Sequence, residues 1–259
     1  MKILFLGTGT SEGIPRIGCD CVVCQDARKY HSKNNRSRSS VLITLDDGHR
    51  VLIDTSQDMR TQALKNDIRS IDAILYTHAH ADHTLGLPDI REFNRAIGGP
   101  IDSYGSEETL DEIKETFQFM FRPGTQRGGG LPSVSLHTVS NAFTIFEQEV
   151  IPIPVKHGTL DIFGYRIGDC AYITDASAIP PASKELLAGV KILVLNALRF
   201  KKHPTHFSMD EAIEMACQIG AEKTYLTHIC HRIDHDNIKL PDGIELAYDG
   251  LVIDVQMRK

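Results

Sequence analysis

The sequence lacks the features that place a protein in a membrane or on nucleic acid. Its 259 residues contain no uninterrupted apolar run of about 18 or more, so no segment is predicted to cross a bilayer. The apolar run Ile3–Leu6 is too short for the core of a signal peptide and predicts a first strand instead. Positive charge is not in excess, and a net charge of −6 argues against nucleic acid as the main partner. We therefore expect a cytoplasmic protein without a membrane partner.

Short segments rich in β-branched residues alternate with turn signals, and no repeat interrupts them. Helical periodicity is clearest over Glu107–Phe117 and Met209–Ile219, and the second has capping residues, Ser208 before it and Gly220 after it. Two β-rich halves with helices outside predict an α+β fold, a four-layer αββα sandwich, as one domain over residues 1–259. The segment Arg122–Ser133 is predicted to be a mobile loop. The predicted strands are Lys2–Leu6, Ser40–Leu45, Val51–Asp54, Asp72–Tyr76, Glu149–Val155, Asp161–Ile167, Ala171–Thr174, Lys191–Leu195, Thr224–Leu226 and Leu251–Val255.

Four metal-ligand side chains follow the predicted strand Asp72–Tyr76. They occupy six residues and are His78, His80, Asp82 and His83. A loop at a strand's carboxyl end can turn imidazoles and a carboxylate toward one point, and this spacing sorts the four side chains into two pairs, which suits two adjacent ions. Such ligands suit Zn²⁺, Mn²⁺ or Fe and do not choose among them. A polar loop that is rich in histidine by chance is the competing interpretation, and the pattern favours a metal-dependent hydrolase.

Three of the six cysteines lie close together, at Cys19, Cys21 and Cys24. In a chain without an export signal such a cluster is more typical of metal binding than of disulfides. A fourth ligand would complete a tetrahedral structural zinc site. His231 is the natural candidate and Cys230 ranks below it, while three free cysteines are the alternative. We expect a small zinc-binding loop inserted near residues 19–24.

The histidine-rich motif resembles that of the metallo-β-lactamase superfamily. The resemblance implies further ligands at His157, Asp175 and His228, each of which also ends an apolar strand-like run. It implies that Asp54 is a buried acid that supports the site without binding metal. It assigns one ion to His78, His80 and His157 and the other to Asp82, His83 and His228, with Asp175 between the two.

The opening Leu6–Ser11, the cysteine loop and the ending Thr227–His231 resemble the PhnP-type phosphodiesterases of bacterial phosphonate breakdown. That resemblance implies a structural zinc beside a dinuclear Mn²⁺ or Zn²⁺ site, hydrolysis of small or cyclic phosphodiesters, and a homodimer. It also gives His206 a catalytic role, either hydrogen bonding to the phosphoryl oxygen or protonating the leaving alkoxide, and Asp82 a catalytic role besides metal binding. A solvent-exposed histidine near a helix start is the alternative for His206, and His203 is expected to be structural.

The expected function is therefore hydrolysis of a small-molecule phosphodiester through a metal-bridging hydroxide. Three alternatives stay open. The chain could be a transfer-RNA 3′-processing nuclease, whose RNA-gripping arm would have to be the short segment Arg122–Gly130. It could hydrolyse lactones or thioesters. It could also be a metal-binding module that has lost catalysis, although a site that has lost its activity usually lacks one of its Asp or His ligands and this one has a complete set.

Overall fold

Two β-sheets face each other in the computed structural model, which describes residues 1–126 and 129–255. The strands are β1 (Lys2–Gly7), β2 (Ser40–Thr44), β3 (Arg50–Ile53), β4 (Ala73–Leu75), β5 (Ile101–Gly105), β6 (Val134–Thr138), β7 (Phe143–Ile145), β8 (Gln148–His157), β9 (Leu160–Ile167), β10 (Cys170–Ile173), β11 (Ile192–Asn196), β12 (Lys223–Thr227), β13 (Ile244–Leu246) and β14 (Val252–Asp254). Within the described ranges the first sheet has the order β14-β1-β2-β3-β4-β5-β6 and the second β13-β12-β11-β10-β9-β8-β7.

Helices cover the outer face of each sheet. The helices of the described residues are α1 (Val22–Asp26), α2 (Met59–Lys65), α3 (Ala81–Thr84), α4 (Arg91–Ile97), α5 (Glu107–Thr116), α6 (Gln118–Phe121), α7 (Pro181–Leu186) and α8 (Met209–Ile219), with a 3₁₀ helix at Leu87–Ile90, and not all of them lie on a sheet face. Helices α2 and α5 contact the first sheet, while α7 and α8 contact the second. The predicted four-layer αββα sandwich is confirmed.

Apolar side chains fill three layers, one between the two sheets and one between each sheet and its helices. These layers explain why the strand sequences are almost continuously hydrophobic. In β3, Val51 and Ile53 face the core between the sheets, whereas Leu52 faces the helices. In β11, Val194 faces the central core while Leu193 and Leu195 pack toward α8. Because successive side chains of a strand point to opposite faces, a sheet covered on both faces needs apolar residues at every position.

The strand directions bring several carboxyl ends to one edge of the sandwich. In the first sheet β3 and β4 are parallel. In the second sheet β10, β11 and β12 are parallel, and β8 runs the same way because β9 is antiparallel to both β8 and β10. Two hydrogen bonds then join the sheets near that edge: Phe163 N–H donates to Thr77 O (3.0 Å) and Tyr165 Oη to Tyr76 O (2.7 Å).

All ten predicted strands correspond to observed ones, with bounds that differ by a residue or two at some ends. Helix α8 has the predicted bounds, and α5 ends one residue earlier than predicted. In the predicted loop Arg122–Ser133 the described residues form no helix or strand, and Arg127 and Gly128 lie outside the described residues. Across the described part of the chain, no helix combines the length and the apolarity that crossing a bilayer requires.

Candidate metal centre

Three histidines from the two sheets meet at the shared edge. His78 and His80 lie in the loop after β4, and His157 is the last residue of β8. One nitrogen of each ring lies within 4.8 Å of the others, and His78 Nε2 is 3.1 Å from His80 Nδ1. The structure thus brings together the three side chains that the resemblance assigned to one ion.

A second group of candidate ligands is buried beside the first. Asp82 and His83 belong to α3, Asp175 follows β10 and His228 follows β12. The Asp175 carboxylate lies 3.3 Å from His83 Nε2 and 3.1 Å from His228 Nε2. Asp175 also forms a compact group with His157 and His206, so it lies between the two clusters, where a bridging carboxylate would be needed.

Three residues of the site have left-handed backbone conformations that are uncommon outside glycine. The φ angles are +62° at Asp54, +58° at Asp175 and +57° at His228. Each of the three follows a strand within two residues, and those strands end at Ile53, Ile173 and Thr227. The left-handed turn therefore directs the side chain away from the strand axis. Asp and His are among the residues that tolerate this region best, and unusual backbone conformations cluster at functional sites.

Hydrogen bonds from the outer nitrogens fix which nitrogen of each ring faces the cluster. His83 Nδ1–H donates to Asp54 Oδ2 (2.7 Å), and His157 Nδ1–H donates to the Thr205 carbonyl (2.7 Å). Thr77 Oγ1–H donates to Asp54 (2.8 Å) and accepts from His78 Nδ1 (3.0 Å). Nε2 of each ring therefore keeps its lone pair for the cluster, which is the arrangement that metal-binding histidines show.

The donor set fits divalent ions. Among the described residues His83 Nε2 and His228 Nε2 are buried and make no hydrogen bond, and each lies 3.1–3.6 Å from the Asp82 and Asp175 carboxylates, so nitrogen and oxygen ligands converge on one point. Burial lowers the pKa of His78 and of His80, which keeps both rings neutral. Burial alone would raise the pKa of Asp175, but His228 and His83 hold it well below its usual range. Metal binding requires neutral imidazoles and ionised carboxylates, which His78, His80 and Asp175 provide. Burial alone would lower the pKa of His83, but the carboxylates of Asp175, Asp82 and Asp54 raise it, so an ion bound there would displace a proton.

His206 lies beside the second group, in the loop before α8 and two residues ahead of the N-cap Ser208. Its Nε2–H donates to Asp175 Oδ1 (2.9 Å), while Nδ1 accepts from Thr205 Oγ1 (2.9 Å). His203 contacts the same ring at 3.2 Å between the two Nδ1 atoms. Only 12% of the His206 side chain is exposed, so the alternative of a solvent-exposed histidine does not describe this position.

The cysteine loop forms a separate tetrad with His231. One atom from each of Cys19, Cys21, Cys24 and His231 lies within 4.8 Å of the others. His231 Nδ1 is 3.3 Å from Cys21 Sγ and 3.5 Å from Cys19 Sγ, and the Arg16 N–H donates to Cys24 Sγ (3.4 Å). Cys230, the lower-ranked candidate, does not join this group.

Apart from Asp54, which the resemblance had assigned to this role, sequence reasoning missed the residues that hold the ligands in place. Asn196, the last residue of β11, binds both backbone polar groups of Ala176 (2.8 and 3.0 Å) and so fixes the turn at Asp175. A polar residue that ends a buried strand beside two ligand-bearing strands was a usable signal. The Thr205 carbonyl carried no signal, because its role depends on the chain path and not on its side chain.

Residues 49–229 match the family described as β-lactamase superfamily domain. That match, on a fold of two helix-covered sheets with candidate His/Asp metal sites at one edge, shows that the chain belongs to the metallo-β-lactamase superfamily of hydrolases.

Within the superfamily the chain is PhnP-like. A diphosphatase from the PhnP family, known from its crystal structure, is 44% identical in sequence to this chain. The alignment covers 99% of this chain and 98% of the diphosphatase chain, with a TM-score of 0.90. Zn²⁺-bound PqqB from Methylobacterium extorquens is 20% identical, over 98% and 100% of the two chains, with a TM-score of 0.77, and shares the fold. An octanoyltransferase of Porphyromonas gingivalis is 37% identical over 97% of this chain but only 51% of its own, so the present chain spans about half of that relative.

Proposed function

We propose that this chain is a dinuclear metal-dependent phosphodiesterase that acts on small or cyclic phosphodiesters. The observation that carries the proposal is the position of Asp175 between two groups of candidate ligands, within 3.3 Å of the buried Nε2 atoms of His83 and His228. Similarity to a PhnP-family diphosphatase favours phosphorus over carbon as the centre attacked.

In this proposal His78, His80 and His157 hold one ion, and Asp82, His83 and His228 hold the other, with Asp175 shared. When bound, two such divalent ions activate water at neutral pH and offset charge on phosphoryl oxygens. Either Mn²⁺ or Zn²⁺ satisfies this donor set. The cysteine loop and His231 bind a third, structural Zn²⁺.

His206 supplies the chain's own contribution to the reaction. Its Nε2–H now donates to Asp175, and the same N–H can donate to a phosphoryl or leaving-group oxygen once substrate occupies the site. Thr205 donates to Nδ1 and so fixes the tautomer and the ring's orientation. Removing the imidazole should therefore slow turnover without removing a metal ligand.

The experiment measures hydrolysis of bis(p-nitrophenyl) phosphate by protein loaded with Mn²⁺ or Zn²⁺, together with metal content. We expect turnover in the wild type and a loss of about 10²-fold or more in His206→Ala at unchanged metal content. His137→Ala is the matched control, since His137 is a surface residue paired with Asp102. A fully metallated protein that turns over no phosphodiester would contradict the proposal and support a non-catalytic module. Equal turnover in wild type and His206→Ala would contradict the role given to His206.

Hydrolysis of thioesters and lactones is the second activity to measure, because one relative is named an octanoyltransferase. A panel of an octanoyl thioester, a glutathione thioester and an acyl-homoserine lactone tests it. Hydrolysis of these compounds at higher rates than phosphodiesters would indicate that the protein acts on acyl esters instead. A gel-shift with a transfer-RNA precursor tests the nuclease alternative, which predicts retention of the RNA.

A further inference from the structure

The ring of His228 is held differently from those of other candidate ligands around the metal centre. The outer nitrogens of His78, His83 and His157 each form a hydrogen bond to a neighbouring group. Among the described residues His228 Nδ1 is buried and makes no hydrogen bond, and its ring stacks on that of His206 with 5.0 Å between the centroids. The aim of the His228 ring therefore depends chiefly on the main chain that carries it.

The main chain at His228 is held through the next residue. His228 has a left-handed conformation, with a φ of +57°, which persists only where the surrounding structure fixes it. The Ile229 N–H donates to the Thr8 carbonyl (2.9 Å), and the Ile229 carbonyl accepts from the Thr10 N–H (3.1 Å). These two bonds join Ile229 to the turn that follows β1, residues 8–10, so the position of this turn sets the position of His228.

A polar network fixes the turn at Thr8. Thr8 is fully buried, and its hydroxyl accepts a hydrogen bond from Arg36 Nη1 (2.7 Å) and donates one to Asp249 Oδ1 (2.8 Å). Asp249 Oδ2 in turn accepts from the N–H and the hydroxyl of Ser37 (2.7 Å each). Arg36 Nη2 donates to His235 Nδ1 (3.0 Å). Both partners of the Thr8 hydroxyl are thus held by further hydrogen bonds.

Arg36 gives this network its resistance to displacement. Its side chain is only 1% exposed, and burial lowers its pKa to about 10 although Asp249 raises it, so the guanidinium is charged at neutral pH. A buried charge that loses a partner is costly, which opposes any movement of the Thr8 hydroxyl. A Cβ added at Gly9 would lie 3.0 Å from Arg36 Cβ and from the carbonyl oxygens of Arg36 and Ser37. The turn is therefore packed directly against Arg36.

We propose that Thr8 is a positioning residue for His228: its hydroxyl, held between Arg36 and Asp249, fixes the turn that aims the imidazole at the metal centre. The inference rests on the proposed function, because it takes His228 as a ligand of one active-site ion. Residues that orient a metal ligand typically change metal affinity by about 10- to 100-fold when they are altered. The loss should fall mainly on the ion that His228 binds.

Calorimetric titration with Mn²⁺ of protein stripped of its active-site ions tests this role, since thiolates of the cysteine loop do not favour Mn²⁺. Thr8→Val removes the hydroxyl and keeps the branched shape, and we expect one of two ions to bind about tenfold or more weakly. Thr8→Ser keeps the hydroxyl and should bind both ions with wild-type affinity. Ser103→Ala is the matched control, because it also removes a buried hydroxyl, one that donates within β5 to the Ile101 carbonyl (3.3 Å).

A double-variant cycle shows whether Thr8 acts through His228. His228→Ala should bind a single ion with unchanged affinity, and adding Thr8→Val to it should not weaken that ion further. Asp249→Asn is the second variant if Thr8→Val does not fold. Its amide offers one acceptor oxygen where the carboxylate offers two, so it should weaken the same ion by a smaller factor.

The titration separates this inference from the proposed function, because it requires no diester. Equal Mn²⁺ affinities in wild type, Thr8→Val and Asp249→Asn would overturn the positioning role, whatever the Tm of the variants. A loss that Thr8→Ser does not restore, or that Ser103→Ala shows as well, would overturn it too, since it would reflect stability alone. A wild type that binds no second ion would instead contradict the dinuclear site, and this inference with it.

Discussion

At the scale of single residues, Asp54 organises the site without facing its centre. It is fully buried and accepts hydrogen bonds from the Thr77 N–H and hydroxyl (2.8 Å each) and from His83 Nδ1 (2.7 Å). Through Thr77 it also orients His78. One carboxylate therefore sets the rings of two candidate ligands that belong to different ion sites.

Asp54→Asn is predicted to weaken metal binding by roughly 10- to 100-fold, because an amide cannot accept all three of these hydrogen bonds. Asparagine tolerates the left-handed conformation at this position, so the backbone should not be the cause. Titration of metal-depleted protein with Zn²⁺ or Mn²⁺ measures the effect. Asp67→Asn is the control, since Asp67 is also left-handed but exposed and away from the site. Equal affinity in wild type and Asp54→Asn would contradict this role.

Spacing predicted the candidate ligands, but not what orients them. His78, His80, Asp82 and His83 are recognisable because four ligand types fall within six residues. The resemblance was needed to choose His157 and His228 from the remaining histidines. The contact between His157 and the Thr205 carbonyl joins residues 48 positions apart and involves a main-chain atom, so no residue pattern encodes it.

At the scale of elements, α8 shows what local sequence can specify. Ser208 and Glu211 form a capping box, with the Ser208 N–H donating to Glu211 Oε2 (2.9 Å), and Gly220 closes the helix at φ +71°. Both signals act within a few residues, so the predicted bounds of α8 agree with the structure.

Ser208→Ala is predicted to destabilise the protein by about 1 kcal/mol, because the cap of α8 is lost. For a chain of this size that corresponds to a fall in Tm of roughly 2–4 °C. The His206 loop is anchored at this cap, so kcat should fall as well. Ser106→Ala, which removes the Thr109 N–H acceptor at the start of α5, is the control for stability. We expect both variants to show a similar fall in Tm and only Ser208→Ala to show a lower kcat. An unchanged kcat in both variants would mean that the cap of α8 does not position His206.

Sequence reasoning missed four observed strands, β5, β6, β7 and β13, and two of them show how weak the local pattern can be. Strand β5 has the sequence Ile-Asp-Ser-Tyr-Gly and β7 is only three residues long. Strand β5 is held between β4 and β6, while β7 pairs with β8 alone at the edge of its sheet. Their extended conformation follows from neighbours that are themselves specified elsewhere in the chain, which is how tertiary context overrides weak propensity.

At the scale of the whole molecule, the turn His228–His231 links the cysteine loop to the metal centre. His228 belongs to one group of candidate ligands and His231 to the other. Ile229, between them, donates to the Thr8 carbonyl (2.9 Å) and accepts from Thr10 N–H (3.1 Å). A displacement of His231 would therefore be transmitted to His228 through the two residues between them, whose main-chain groups are both hydrogen-bonded to neighbouring segments.

Cys24→Ser is predicted to remove one zinc per chain and to lower the Tm by more than an ordinary substitution, because loss of a structural metal exceeds the roughly 0.5–3 kcal/mol typical of single changes. Affinity for the catalytic ions should weaken too. Metal analysis and thermal unfolding measure both effects. Cys217→Ser, at an exposed free cysteine on α8, is the control. Full zinc content in Cys24→Ser would rule out the tetrad as the zinc site.

The same tetrad joins positions that are 210 residues apart, Cys21 and His231. During synthesis the three thiols leave the ribosome long before their imidazole partner, so the site can close only when most of the second sheet has been made. Closure of so long a loop is entropically costly and slow, and it belongs among the last steps of folding. Zinc would then bind a chain that is already largely folded and join its two ends. In cells short of zinc, newly made molecules should keep exposed thiols that form intermolecular disulfides.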